Sequence, residues 1–365
     1  MRLSRRTFMA GGFAAATTPL AACGSPGRLG ASPPLGTDVV LEFASGMARS
    51  HTNNVGVWKF IERLEHNAPW IHVHFRGGPD IVSPTLLIEA VESGIFDMAQ
   101  LPADYYVEQI PGMEMARFTP YTPMDERETG LAELWDQLHH EALGLTYLGR
   151  SIAGMPQVFL LMHPLTGLDM SGWSIRSSAA TSPLISQLGG TPVSLPLSET
   201  FTALERGVVQ GSNMASIGPT SVGIDDVVNY ALSPRFYDSI GNFVVSPHTW
   251  ARLDARTRSV LRDTAAEIEP EIFDFHVTES LEETLIWQEK GMQHHTLDEA
   301  DAEEFLHLAY HRIWDSLPWQ RMERQTPTAA RIRDQIRDGW DEHDLSRCVP
   351  GGAFIGIEEG PISDE

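Results

Sequence analysis

Hydrophobic and polar positions along the chain follow two rhythms. In "WIHVHFRGG", Trp70 to Gly78, they alternate strictly, with Ile71, Val73 and Phe75 on one side and His72 and His74 on the other. A period of two predicts a strand with one buried row. In the preceding "HTNNVGVWKFIERLEHNAP", Val57, Phe60, Ile61 and Leu64 recur at helical spacing. "DVVLEFASGM", from Asp38, predicts the strand ahead of that helix. "SPTLLIEAVESGIFDMAQLP" reads as a helix running into a strand, with Pro84 at its start and Gly94 at its stop. "TPMDERETGLAELWDQLHHEALGLTYLGRS" repeats that order, and "QVFLLMH" adds another strand. "GWSIRSS", "AATSPLISQLGG", "TPVSLP", "SETFTALERGV" and "VQGSNMAS" continue the alternation. Strands and helices in turn predict an α/β architecture with parallel sheets. From about Leu253 the pattern is helical, and the charged residues there read as mostly solvated faces.

The ends of the chain read differently. Arg2, Arg5 and Arg6 precede an uncharged run from Thr7 to Gly27 that is rich in Ala, Gly and Thr. That is the pattern of an export signal, too weakly hydrophobic for a stable membrane span. "SRRTFM" resembles a twin-arginine (Tat) motif. "LAAC", Leu20 to Cys23, resembles a lipoprotein cleavage box, which would make residues 1–22 the leader and Cys23 the lipidated residue. Residues 23–37 are rich in Gly, Pro and Ser and read as a flexible tether. The other cysteine is Cys348, so an acylated Cys23 leaves no internal disulfide and stability must come from core burial. The expected location is extracytoplasmic, in the periplasm, held by a lipid anchor.

Charge narrows the partners. The chain carries 26 Lys plus Arg against 49 Asp plus Glu; without the three leader arginines, 23 against 49 leaves a formal net charge of −26. Such a surface repels nucleic acid and anionic lipid. It also makes an anion site costly to build without a dedicated, sequestered arginine. Sequence signatures of a catalytic centre are absent: there is no HExxH, GxSxG, GxxxxGK[ST] or CxxC, and no GxGxxG after a strand. His72 and His74 form an HxH pair, but strand alternation alone puts both in solvent. His139 and His140 are neighbours on a helix and point about 100° apart. No cofactor or metal site is called for. A metal-assisted Tat-exported enzyme using these histidines or the His294/His295 pair is the competing reading, and a sensory binding protein is a third.

The stretch from Leu168, "LDMSGWSIRSSAATSPLISQLGGTPVSLPLSETFTALERGVVQG", resembles the solute-receptor subunit of tripartite ATP-independent periplasmic (TRAP) transporters, the DctP-like family. Asp169, Gly172, Ile175, Arg176, Leu188, Gly189, Pro192, Glu199, Ala203, Leu204, Gly207, Val208, Val209 and Gly211 fall in step with the family pattern. "FRGGPDIVSPTLLIEAVESGIFDMAQLP" and "YDSIGNFVVSPHTWARLDARTRSVL" are similar to the segments before and after it, and the resemblance spans about residues 38–315. Ser174, Gln210 and the run Ser212 to Ala215 depart from the pattern.

The resemblance implies a two-lobe periplasmic binding protein-like fold with an interlobe cleft and long C-terminal helices. It implies binding of an organic acid and its delivery to small and large membrane permease subunits. It places lobe I at 38–152 with 241–285 contributing, lobe II at 153–240, the C-terminal helices at 286–345 and a tail at 346–365. Arg176 becomes the carboxylate clamp, because a guanidinium fork presents two parallel donors to a planar carboxylate and stays charged. Asn213, Arg150, Tyr105, Tyr106 and Trp173 complete the expected ligand-binding set. Arg150 either reaches the cleft or pairs with a carboxylate at the hinge. One of the adjacent tyrosines is expected to pack. His51 and Asn53 follow the first strand, where they either cap a helix or line the cleft, with Asn53 the expected cap.

Overall fold

The computed structural model describes residues 38–178, 180–195 and 197–342. The leader, Cys23, the 23–37 tether, Cys348 and the 346–365 tail therefore lie outside the described residues. The strands are β1 (Val39–Ser45), β2 (Ile71–Gly77), β3 (Met98–Pro102), β4 (Thr146–Ile152), β5 (Pro156–Leu161), β6 (Ser174–Ser177), β7 (Thr191–Ser194), β8 (Gly211–Ala215), β9 (Tyr230–Ser233), β10 (Phe236–Asp238), β11 (Gly241–Val245) and β12 (Gln293–Thr296). The helices are α1 (Val55–Asn67), α2 (Pro84–Glu92), α3 (Pro123–Glu128), α4 (Leu131–Leu143), α5 (Ser182–Gln187), α6 (Leu197–Glu205), α7 (Pro247–Arg252), α8 (Ala255–Glu289), α9 (Glu299–His307), α10 (Ile313–Asp315), α11 (Trp319–Gln325) and α12 (Thr328–Glu342).

Two sheets organise these elements. The first has the order β2-β1-β3-β11-β4; the second runs β12-β9-β5-β8-β6-β7, with β10 also paired to β5. The expectation of parallel sheets needs correction, because both are mixed. β1 is parallel to β2 and β3, and β6 to β7 and β8, but β11 is antiparallel to both β3 and β4, and β5 to β8, β9 and β10. The cause is how the chain travels. β4 passes to β5 through residues 153–155 and β10 returns to β11 through 239–240, so β5 and β11 each enter one sheet directly from the other. A strand arriving straight from the other sheet enters against the grain.

The β2 alternation behaves as its pattern predicts: Ile71, Val73 and Phe75 join the cluster formed by Leu41, Phe43, Val57, Phe60, Leu64, Phe243 and Ile268, while His72 and His74 face solvent. The helix expected over the "TPMDERETGLAELWDQLHHEAL" stretch is broken in two at Gly130, whose φ of +79° favours glycine. α3 starts in a capping box between Thr122 and Asp125.

α8 is 35 residues long and packs on α1 and β4 over its first half. Its buried stripe changes character along its length, from Leu261, Ala265, Ile268 and Ile272 to His276, Ser280 and Thr284. The polar part meets the second sheet's elements, where Ser280 and Thr284 accept from Arg235. Among the charges of this helix, expected to be mostly solvated, Glu269 is the buried exception among the described residues, at 2% exposed. α12 closes back on α4 and on the 113–118 turn, with Trp340 Nε1 donating to the Phe118 carbonyl at 3.0 Å. Among the described residues no helix is long and apolar enough to cross a membrane.

Candidate functional site: a cleft between strand ends

The carboxyl ends of β1 and β3, parallel neighbours in the first sheet, deliver residues 46–54 and 103–106. The carboxyl ends of β6 and β8, parallel neighbours in the second, deliver Ser178 and the 216–222 turn. These ends face one another. Ser178 Oγ donates to Asp104 at 3.4 Å, and a Cβ placed on Gly218 would lie 3.9 Å from Cε1 and Nε2 of His51. Open α/β sheets bind ligands beyond the carboxyl ends of their strands, and here two such edges meet. Where the chain crosses between sheets, Ile152, Met155 and Ile217 pack together as a small apolar group.

The crossing itself is fastened by polar contacts. The Asp238 carboxylate accepts from Gly154 N at 2.8 Å and Met155 N at 2.7 Å, tying the outgoing segment to the returning one. Burial raises the Asp238 pKa to about 6, against those amide donors. From α8, His276 Nδ1 bonds the Ala153 carbonyl at 3.1 Å. Nothing in "YDSIGNF" marks Asp238 as buried, so sequence reasoning missed it.

Arg176 lies on β6 opposite Val193 of β7 and Ser212 of β8. Its Nε donates to the Leu195 carbonyl and its Nη1 to the Asn213 carbonyl, both at 3.1 Å. Both acceptors are neutral. Among the described residues Arg176 forms no ion pair; Asp104, whose charge bears on it, pairs instead with Arg117 at 3.6 Å. Burial pushes the Arg176 guanidinium below the ordinary arginine range, while Tyr105 and Asp104 push the other way. Nη2 is left without a protein acceptor among the described residues. The result is an anchored, half-buried cation whose fork is not filled, a group able to take a planar anion.

The other expected site residues divide. Tyr105 is 37% exposed, and burial raises its phenol pKa while the Arg176 charge lowers it. Asn213 meets Arg176 through its backbone carbonyl; its side-chain amide turns to the Val158 carbonyl of β5 at 3.5 Å. Trp173, just ahead of β6, packs partly buried on the main apolar cluster. Gly211, at the head of β8, is fixed by space: a Cβ there would fall 2.7 Å from Leu161 Cδ2 and 2.9 Å from the Leu160 carbonyl. The expected cap role of Asn53 belongs to His51, whose Nδ1 accepts from Asn53 N at 3.2 Å. Asn53 is buried, and its Oδ1 has no partner among the described residues.

Arg150 and Tyr106 do not join Arg176. Both are buried, within a closed ring of hydrogen bonds. Arg150 Nε and Nη2 take the Glu126 carboxylate at 2.8 and 2.7 Å, and Nη1 donates to Asn242 Oδ1 at 2.8 Å. Asn242 Nδ2 donates to the Tyr106 hydroxyl, which faces His139 Nε2 at 3.1 Å. His139 Nδ1 reaches the Trp135 carbonyl at 2.7 Å, and Trp135 Nε1 returns to Glu126 at 3.1 Å. Of the two roles sequence left open for Arg150, the structure has the carboxylate pairing. The reason is spatial: β4 carries Arg150 inward toward α3 and α4.

Histidines are dispersed: His139 is in the ring, His140 exposed on α4, and His294 and His295 on β12. Among the described residues no group of three or more His, Cys, Asp or Glu is arranged to hold a metal. A surface hollow lined by Leu168, Asp169, Gln187, Leu188, Gly189, Glu304 and Leu308 offers two carboxylates and no cation, so it does not suit an acid.

The fold and the cleft define a two-lobed solute-binding protein. Residues 43–317 match the family model described as bacterial extracellular solute-binding protein, family 7 (DctP), and the chain belongs to that family. Similar solved structures include a marine metagenome TRAP solute-binding protein specific for aromatic acid ligands, in complex with 3-hydroxybenzoate (17% identity, TM-score 0.72, 84% of this chain and 99% of that one covered). Another is a TRAP periplasmic solute-binding protein from Desulfovibrio salexigens with bound orotic acid (14%, 0.71, 82% and 100%). A third is DctP7, a Bordetella pertussis extracytoplasmic solute receptor binding pyroglutamic acid (16%, 0.68, 83% and 99%).

Proposed function

We propose that this chain is the extracytoplasmic receptor of a TRAP-type transporter, binding one small organic acid through its carboxylate and handing it to the membrane permease subunits without chemistry of its own. One observation carries the reading: Arg176 is anchored by two neutral carbonyls at the facing strand ends, with a donor left over and no acidic partner among the described residues. A half-buried cation without a counter-ion is partly desolvated at a cost, and a ligand carboxylate offsets that cost. Tyr105 stands beside the clamp, Trp173 and Asn213 shape its strand edge, and Arg150 and Tyr106 act from behind as a rigid frame. The organic acids bound by the three solved relatives support the same ligand class.

On this reading lobe I comprises residues 38–152 with 241–285, lobe II comprises 153–240, and 286–345 form the C-terminal helices. Closure of the two lobes on the ligand is what the membrane partner reads. Residues 1–22 direct Tat export, and acylated Cys23 anchors the receptor in the periplasm.

A thermal-shift screen of the leader-processed protein against a carboxylate library tests the clamp. Ligand at 100 times its Kd adds about 2.7 kcal/mol of stability. The shift is expected to fall in Arg176→Ala to about 0.4–1.4 kcal/mol, as one to two decades of lost affinity require; equal shifts in both would remove Arg176 from the site.

A further inference from the structure

We infer that His51 is a second polar contact of the cleft, donating from Nε2 to a neutral oxygen of the bound acid, so that the receptor selects monocarboxylates with a hydrogen-bond acceptor set back from the carboxylate. The inference rests on the Arg176 reading above and adds the far end of the ligand to it.

The tautomer follows from geometry. Nδ1 accepts the Asn53 N–H at 3.2 Å, so it carries no proton. A neutral imidazole then has its proton on Nε2, which must donate. Among the described residues no hydrogen bond uses Nε2. That edge of the ring faces Gly218 on the opposing lobe, close enough that a Cβ there would lie 3.9 Å from Nε2. Gly218 has φ +110°, a conformation that favours glycine and keeps the opposite wall bare. Burial lowers the His51 pKa, so the ring offers a second carboxylate no positive charge.

Strand order sets the two contacts in one cleft. His51 and Tyr105 follow β1 and β3, which are adjacent; Gly218 follows β8, and Arg176 lies on β6, its neighbour. His51 and Gly218 thus form one facing pair of the cleft, and Asp104 and Ser178, the neighbours of Tyr105 and of β6, form a second. A small acid with its carboxylate on Arg176 then turns a carbonyl or hydroxyl oxygen toward His51.

The test measures Kd by calorimetry for two pairs of acids that differ in polar substitution: pyroglutamate against cyclopentanecarboxylate, and 3-hydroxybenzoate against benzoate. The proteins are the wild type, His51→Asn and Arg176→Ala. Asparagine is a good helix cap, so it keeps the Asn53 contact while its amide falls short of the Nε2 position. In the wild type the oxygenated member of at least one pair is expected to bind about five- to tenfold more tightly. That ratio collapses toward one in His51→Asn with an unchanged melting temperature. An unchanged ratio in His51→Asn, no preference in the wild type, or tighter binding of glutarate than of any of the four overturns the His51 assignment and leaves Arg176 standing. If none of these acids binds the wild type, the carboxylate reading itself falls, and the assignment of His51 falls with it.

Discussion

Arg150 and Arg176 sit on strands of different sheets, and their surroundings are built to opposite ends. Arg150, 1% exposed, has Glu126 across a fully buried ion pair, Asn242 on its remaining edge and the Trp135 ring 5.1 Å from its guanidinium carbon. Burial works against its charge, yet Glu126 and Tyr147 leave its pKa above the ordinary arginine value. Arg176 is given two carbonyls and no carboxylate among the described residues. The difference is the counter-ion. A buried arginine whose charge is matched inside the protein is a piece of framework. One held in place by neutral acceptors alone remains available for an anion that arrives later.

The largest expected effect breaks the framework side of this contrast. Glu126→Ala leaves Arg150 buried without its partner, which costs about 3–5 kcal/mol; urea unfolding reads it directly. Arg176→Ala should do the reverse, leaving stability nearly unchanged while reducing carboxylate affinity by about 1.5–3 kcal/mol, one to two decades in Kd. If the two variants lose equal stability, the distinction between the two arginines fails.

The pH response sharpens the same comparison. Burial lowers His139, within the Arg150 ring, and His276, beside the crossing, to about 4. Between pH 6.5 and 4 the unfolded chain therefore binds more protons at these sites than the folded one, and stability falls as pH falls. Glu269, raised to about 7 by burial, and Asp238, raised to about 6, act in the opposite direction over much of this range, gaining stability as they take up protons. The histidine contribution is therefore isolated by difference. His139→Gln should lose less stability than the wild type on going from pH 7 to pH 4, by up to about 3 kcal/mol at 1.36 kcal/mol per pKa unit. The smallest effect is at Tyr105. Tyr105→Phe removes a half-exposed hydroxyl beside the clamp, and should change ligand affinity by about 1 kcal/mol or less and stability by no more than about 0.5 kcal/mol.

Periodicity and motif make much of this molecule legible in its sequence. The β2 alternation, the α1 stripe and the strand carrying Arg176 are local properties, set by backbone geometry over a few residues. The block around Arg176 also points to the family, and with it to two lobes and a cleft. What sequence could not decide was partnership. Arg150 and Arg176 both stand in strands, yet Arg150 finds Asn242 92 positions away and its amide finds Glu269 119 positions away. Adjacent Tyr105 and Tyr106 are equivalent as text; only the packing of α4 behind the first sheet turns Tyr106 inward to His139 and leaves Tyr105 beside Arg176. Sheet direction was likewise out of reach, because it follows from where the chain crosses between sheets at 153–155 and 239–240. The sequence by itself determined the β2 strand, the α1 helix and the strand of Arg176, and which arginine lies in the family motif. Tertiary structure decided which charges are neutralised within the protein and which remain open, because desolvation and counter-ion placement depend on segments that meet only in the folded chain.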